Sequence, residues 1–371
     1  MFGITEPRHG AVLNHNHGHA TDSCLEIVVE GNAGILAAVS VNGAPAAQAG
    51  TRFSAPVFLR EGENEITAVT QSSSGTQRHS IRVLWDRIAC QRYGFFIDDN
   101  SFFLTDIARN RYRSLFDCFY LKQLRDLHDR YGTKFVLNLF YRNDHDKDRF
   151  TLAEFPDIYK REWEDNAPWL RLSFHAYSEF PDRPYQYAPG EILANHYDLV
   201  RDQIVRFASD RVFAPPSIIH WAMATPTGLQ VLAERGVKML GGMFLNARTA
   251  IGASADSRPD IGYSLDIERS EYLARHSVLY DFDYGIYFVR IDLCCNLDTK
   301  EALAKQLAAR FAAKNPDFIS IATHEQYSFP FYPNYIPDHF DRMETAIRIV
   351  TERGYKPVFH HEGFSGSSTG C

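Results

Sequence analysis

The sequence predicts a multidomain protein in which an N-terminal all-β sandwich precedes a distorted (β/α) TIM-like barrel, and three observations carry that reading. The chain has 371 residues, room for two domains at roughly 100–200 residues each. Residues 1–86 contain no lysine and run as short β-branched segments between turn residues. From residue 87 onward, apolar strands alternate with amphipathic helices, the pattern of a parallel sheet with helical crossovers.

Within 1–86 the expected strands are LEIVVEG (25–31), LAAVSVNG (36–43), FSAPVFLREG (53–62), NEITAVTQ (64–71) and HSIRVLW (79–85). They recur about every 10–15 residues with Asn-Gly or Gly-Glu-Asn between some of them, which suits a small sandwich. The run Val39-Ser40-Val41-Asn42-Gly43 followed by Leu59-Arg60-Glu61-Gly62-Glu63-Asn64 resembles the bacterial immunoglobulin-like modules attached to carbohydrate-active enzymes. That resemblance implies an accessory module over 1–86 and a catalytic domain over 87–371.

In the second region RYGFFIDD (92–99) opens as a strand, and a helix is expected near 111–131, carrying Leu115, Tyr120, Leu124, Leu127 and Tyr131 and stopped by Gly132. KFVLNLFY (134–141) and WLRLSFH (169–175) are strands. Leu193, Tyr197, Val200, Ile204 and Phe207, at spacings of three and four, mark the clearest helix; such spacing keeps one face apolar. SIIHWA (217–222), KMLGGM (238–243), YFVRIDL (287–293), FISIATH (318–324) and KPVF (356–359) complete the strands, with helices near 227–235, 299–314 and 338–353 between them. Residues 244–286 break the rhythm and read as an insertion, and the tail GFSGSSTGC reads as frayed.

Composition narrows the function. Hydrophobic residues at 45% and charged residues at 23% exclude disorder, collagen and coiled coil as the main architecture. A net charge of −7 opposes general affinity for nucleic acid or an anionic membrane. No apolar run approaches the roughly 18 residues of a membrane span. The start MFGITEPRHG lacks the basic and apolar regions of a secretion signal, which places the chain in the cytoplasm unless a leader has been trimmed. The cysteines at 24, 90, 118, 294, 295 and 371 form no CxxC pair, so neither a zinc knuckle nor a disulfide framework is expected. GxxxxGK[ST] and GxGxxG are both absent.

In a βα barrel the reactive groups project from the C-terminal ends of the strands. Those ends carry Asp98-Asp99, His175 with Glu179 four residues on, His220-Trp221 and His324-Glu325. Two adjacent carboxylates after an apolar strand need a cation or a shared proton, unless they cap a helix near Phe102. A divalent metal, zinc above all, is the simplest solution: Asp99, His175 and Glu179 are the expected ligands. The metal would activate water and polarise a carbonyl, with Asp98 as general base and His324 as general acid. His220, Trp221, Glu325, Tyr327 and Tyr177 are the expected substrate contacts. The segments YSFPFYPNY (327–335) and EFPDRPYQY (179–187) interleave aromatics with prolines, and aromatic faces pack on the C–H faces of sugar rings. A glycan is the expected partner.

FFIDDN, the strand-end His175 with a metal-capable residue at i+4, the segment APPSIIHW (214–221) and the late His324 resemble the polysaccharide deacetylase superfamily, the NodB-homology fold, over about residues 90–360. The resemblance implies base for Asp98, metal for Asp99 and His175, and acid for His324. It departs from the family pattern at Phe96, where a Thr is usual, at Glu179, where the second metal His is expected, and at His220, where an Arg is usual. Two other readings use the same residues. In one, Asp98, Glu179 and Glu325 cleave a glycosidic bond or abstract a sugar proton. In the other, the protein only binds glycan.

Overall fold

The computed structural model describes residues 2–34, 38–72, 75–244, 262–312 and 317–363. The tail at 364–371 and residues 245–261 of the expected insertion lie outside the described residues. The chain divides into two compact units. Of the described residues, the first comprises those up to Ala89 with Val278–Gly285, and the second the remainder.

Two sheets build the first unit. One joins Gly3–Glu6, Leu25–Asn32, Arg52–Leu59 and Ala47–Ala49 in that order, and the other joins Val12–Leu13, Gly75–Trp85, Gly62–Ser72, Ala38–Val41 and Ala44–Pro45. Period-2 patterning explains them: Leu25, Ile27 and Val29 are buried while Val28 and Glu30 face out, as alternating strands require when one face is covered. Most ladders are antiparallel, but Val12–Leu13 runs parallel to Leu84–Trp85.

In the second unit the strands are β1 (Arg92–Asn100), β2 (Phe135–Phe140), β3 (Leu170–Ala176), β4 (Met239–Gly242), β5 (Ile286–Arg290), β6 (Leu293–Cys294), β7 (Phe318–His324) and β8 (Lys356–Val358). β1 and β2 are buried at every position, which is why they read as continuous apolar runs. All ladders here are parallel: β3 pairs with β2, β2 with β1, β1 with β7, and β7 with β6. β8 joins the start of β1. On the other side, Leu172 of β3 exchanges backbone bonds with Val212 and Ala214, Gly241 of β4 donates to the Ser217 carbonyl, and β4 pairs with β5. Because the chain continues from β5 into β6, these bonds close a ring, so the unit is a (β/α) barrel-like domain.

Helices occupy the crossovers: α1 (Phe102–Asn110), α2 (Phe119–Tyr131), α3 (Lys160–Asn166), α4 (Gly190–Phe207), α5 (Pro226–Glu234), α6 (Ile267–Arg275), α7 (Lys300–Ala312) and α8 (His339–Glu352). Their ends follow local chemistry. Gly132, at φ 70°, ends α2 in the left-handed conformation that glycine adopts without penalty. Thr225 caps α5 with Pro226 next to it.

Two expectations need correction. The helix expected near 111–131 is a 3-10 turn followed by α2: Arg111 turns left-handed and ends α1 ahead of it, and Ser114 with Asp117 builds a capping box over Leu115–Asp117. SIIHWA is no strand: the ladder bonds lie upstream around Val212–Ser217, and His220–Ala222 form a 3-10 turn with Trp221 and Ala222 at φ 63° and 53°. Pro215-Pro216 has no N–H to give a regular ladder.

The N-terminus of α1 is capped from the end of the neighbouring strand β7. Glu325, just past β7 and fully buried, accepts the backbone N–H groups of Ser101 (2.7 Å), Phe102 (2.8 Å) and Phe103 (2.6 Å). Ser101 itself makes no side-chain cap. Burial pushes the Glu325 carboxyl up to about 8, against the pull of those three donors. Exchanging one of its oxygens for an amide nitrogen, by Glu325→Gln, should lower unfolding stability by about 1–3 kcal/mol, the cost of leaving buried donors badly matched. Denaturant unfolding checks this; an unchanged midpoint would deny Glu325 the capping role.

Candidate metal centre

Adjacent residues on a strand point to opposite faces, so Asp98 and Asp99 would diverge on a regular β1. They do not. The ladder with β2 slips between Ile97 and Asn100, and Asp99 sits at φ 62°, a conformation costing a non-glycine residue of order 1–3 kcal/mol. Asn100 Nδ2 donates to the Ile97 carbonyl at 2.6 Å and to the Asn138 carbonyl at 3.0 Å, covering groups at the irregularity. Both carboxylates thereby approach one imidazole. Asp99 Oδ1 lies 3.1 Å from His175 Nε2, and Asp98 Oδ1 lies 3.8 Å from His175 Nδ1.

His220 completes the cluster. Its Nδ1 is 3.2 Å from His175 Nε2 and 3.5 Å from Asp99 Oδ1. Asp99, His175 and His220 are all buried, and among the described residues they form the group able to hold a metal ion, with donor atoms within 4.8 Å of one another. The outer nitrogens fix the tautomers. His175 Nδ1 faces the Ile218 carbonyl at 3.4 Å, and His220 Nε2 faces the Glu179 carbonyl at 3.1 Å. A carbonyl only accepts, so the protons sit on the outer nitrogens and the inner ones turn lone pairs toward Asp99.

That arrangement fits a cation. Asp99 Oδ1 is buried and makes no aligned hydrogen bond among the described residues, and three lone-pair donors facing one another in a dry site repel unless a positive charge lies between them. Two imidazoles and a carboxylate are the donor set that zinc and its neighbours accept. The electrostatics agree. Burial pushes His175 down to about 4, so its imidazole is neutral. Burial opposes charge on Asp99; it is held well below the usual carboxylate range where the two imidazoles turn N–H groups to it, the part a cation takes over when the inner nitrogens offer lone pairs. Asp98 goes the other way: burial, then the Asp99 charge, hold it well above that range, against the Asn138 amide that donates to it at 2.8 Å.

His324 is the register partner of Asp98 on β7, and its Nδ1 lies 2.9 Å from Asn296 Oδ1. The structure moves three of the residues expected around the site. Glu179, expected as the third ligand, turns its carboxylate to His145 and to Gln326 Nε2 (2.8 Å) and serves the centre only through its backbone carbonyl. His220, expected to touch substrate, stands in the candidate ligand cluster instead. Glu325 also leaves the set of substrate contacts, because both its oxygens are used by α1. It, and not Asp98-Asp99, caps the helix at Phe102.

The remaining expected contacts are dispersed. Trp221 is 48% exposed with the Arg183 guanidinium 5.0 Å over its ring. Tyr327 stands edge-on to His324 at 6.1 Å, and Tyr177 lies beside Tyr141 and under Arg142. Asn138 and Asn296 went unread in the sequence. Asn138 did leave a signal, as a lone amide inside the apolar strand FVLNLF.

No known protein family and no curated protein sequence matches the chain. Among solved structures, it is similar to the peptidoglycan deacetylase PdaC of Bacillus subtilis at 11% identity, over 73% of this chain and 88% of that one, with a TM-score of 0.33. A protein described as a polysaccharide deacetylase of O-antigen biosynthesis from Bordetella bronchiseptica aligns at 12% identity over 70% and 81%, with a TM-score of 0.32. A xyloglucanase of Bacteroides ovatus aligns at 9% over 95% and 99%, with a TM-score of 0.25. Likeness this weak establishes neither a shared family nor a shared activity.

Titration calorimetry of the metal-free protein with Zn²⁺ tests the ligand set. Asp99→Asn, His175→Ala and His220→Ala should each weaken binding by more than a hundredfold, as loss of one of three ligands does. Glu179→Gln should stay within about tenfold, the lower bound for disturbing a group that only supports a ligand. A loss on Glu179→Gln as large as on His220→Ala would restore Glu179 as a ligand.

Proposed function

We propose that the chain is a metal-dependent hydrolase of the polysaccharide deacetylase type, removing an acyl group from a glycan, with an immunoglobulin-like module ahead of its catalytic barrel. The observation that carries this reading is the convergence of Asp99, His175 and His220 at the strand ends, with Asp98 against the same imidazole and His324 on the neighbouring strand. The motifs FFIDDN and APPSIIHW, which resemble that superfamily, support it, and the two antiparallel-rich sheets of the first unit agree with an immunoglobulin-like module.

Held by Asp99, His175 and His220, a divalent cation, most simply zinc, would polarise the acyl carbonyl and lower the pKa of water. The chain's own residues then divide the proton work. Asp98, whose burial makes its charge costly and its proton affinity high, takes a proton from the attacking water. His324 hands a proton to the departing sugar oxygen or nitrogen. Asn138 keeps the Asp98 carboxylate aimed. Exposed Trp221, Phe180 and Phe331 offer flat apolar faces of the kind that pack on sugar rings. The reading that uses Asp98, Glu179 and Glu325 for glycoside cleavage is weakened, since Glu325 is committed to α1.

Asp98→Asn in the zinc-loaded protein should keep the fold and the metal yet lose about 10²–10⁴-fold in turnover, the contribution of a positioned base. Acetate release from acetylated chito- and xylo-oligosaccharides measures it. An unchanged rate would take the base role from Asp98, and shortened oligosaccharides without acetate release would favour glycoside cleavage.

A further inference from the structure

A buried histidine outside the metal centre is joined to His324 by an uninterrupted chain of side chains. His339, the first residue of α8, is 1% exposed. Its Nδ1 lies 2.7 Å from Ser328 Oγ and its Nε2 lies 2.6 Å from Thr323 Oγ1. Thr323 Oγ1 is in turn 3.2 Å from Asn296 Oδ1, which is 2.9 Å from His324 Nδ1. Cys294 Sγ adds a weak third contact to the same oxygen at 3.2 Å.

Every proton along this chain has one place to go. An amide oxygen only accepts and a hydroxyl carries a single proton. Thr323 must donate that proton to Asn296 Oδ1, since otherwise two oxygens with no hydrogen between them would face each other at 3.2 Å. Thr323 Oγ1 is then left to accept from His339 Nε2–H. His339 Nδ1 becomes the acceptor and takes the Ser328 hydroxyl proton. At the other end, Asn296 Oδ1 obliges His324 to carry its proton on Nδ1. Burial supports the assignment by pushing His339 down to about 3, which keeps its ring neutral with one donor and one acceptor nitrogen.

We infer that His339 is a positioning residue: through Thr323 and Asn296 it fixes His324 as the Nδ1–H tautomer, so that Nε2 is the nitrogen His324 offers to chemistry. Among the described residues Nε2 of His324 has no hydrogen-bond partner, while Nδ1 is committed. The sequence separates these groups by up to 43 residues, from Asn296 to His339, and β6, β7 and the start of α8 bring them together. The inference rests on the proposed function only in giving His324 a part in catalysis, because the proton placement is a property of the free protein.

The test is two-bond ¹H–¹⁵N correlation on histidine-labelled, metal-free protein of full length, with His324 identified by loss of its signals in His324→Gln. In the unmodified chain His324 should show a protonated Nδ1 and His339 a protonated Nε2. Thr323→Val, which cuts the chain at its middle, should shift the His324 nitrogens toward each other as the tautomers mix, whereas Thr323→Ser should leave the pattern intact. Asn296→Ala should mix them too. If His324 carries its proton on Nε2, or His339 on Nδ1, in the unmodified protein, the inference fails, whatever the variants do. It also fails if Asn296→Ala mixes the tautomers and Thr323→Val does not, for then Asn296 acts alone. None of these readouts needs substrate or metal, so failure of the proposed activity would leave them standing.

Discussion

The site depends on one confrontation: a carboxylate oxygen and two imidazole lone pairs held 3.1–3.5 Å apart in a dry strand end. Such an arrangement is unfavourable by itself and is sustained by the surrounding fold. The slipped ladder at Ile97–Asn100 and the left-handed Asp99 aim two consecutive carboxylates at one ring, and the parallel strands on either side hold that irregularity in place. Strain of this kind persists where neighbouring structure over-determines it. Here the neighbours are strands buried at nearly every position.

A second regularity is the use of neutral acceptors to decide which imidazole nitrogen stays free. The Ile218 carbonyl does this for His175, the Glu179 carbonyl for His220, and the Asn296 amide for His324. In each case the acceptor carries no charge of its own. It orients the ring and fixes the tautomer without adding the attraction that a carboxylate partner would supply. The rings are therefore aimed by backbone and amide geometry, and Asp99 is the anionic group at their centre.

The carboxylates show how residue type underdetermines role. Glu325 resembles a substrate contact by position, directly after a strand-end histidine, yet its two oxygens are consumed by three backbone donors of α1. Glu179 sits at the spacing of a ligand from His175, but the segment does not coil into the turn that would bring its side chain inward. It pairs with His145 and Gln326 instead. His220 fills the place left open, because the two left-handed residues after it belong to a tight turn and not to a strand.

What the sequence determined by itself was periodic. Alternating burial in the first unit, continuous apolar strands such as FVLNLF and FISIATH, and the three-and-four spacing of α4 are local properties, set by which faces of a strand or helix must leave water. The strand-end positions of Asp98, Asp99, His175 and His324 followed from the same rhythm. Tertiary structure decided what no local pattern encodes: that the proline-interrupted segment Val212–Ser217 carries the ladder, that β5 and β6 close the ring, that His220 and not Glu179 joins the cluster, and that Glu325 caps a helix more than 200 residues away in sequence. Each of these turns on which lone pair meets which donor across the barrel. Hydrogen-bond partnership at long range depends on coordinates, whereas periodicity depends only on order along the chain.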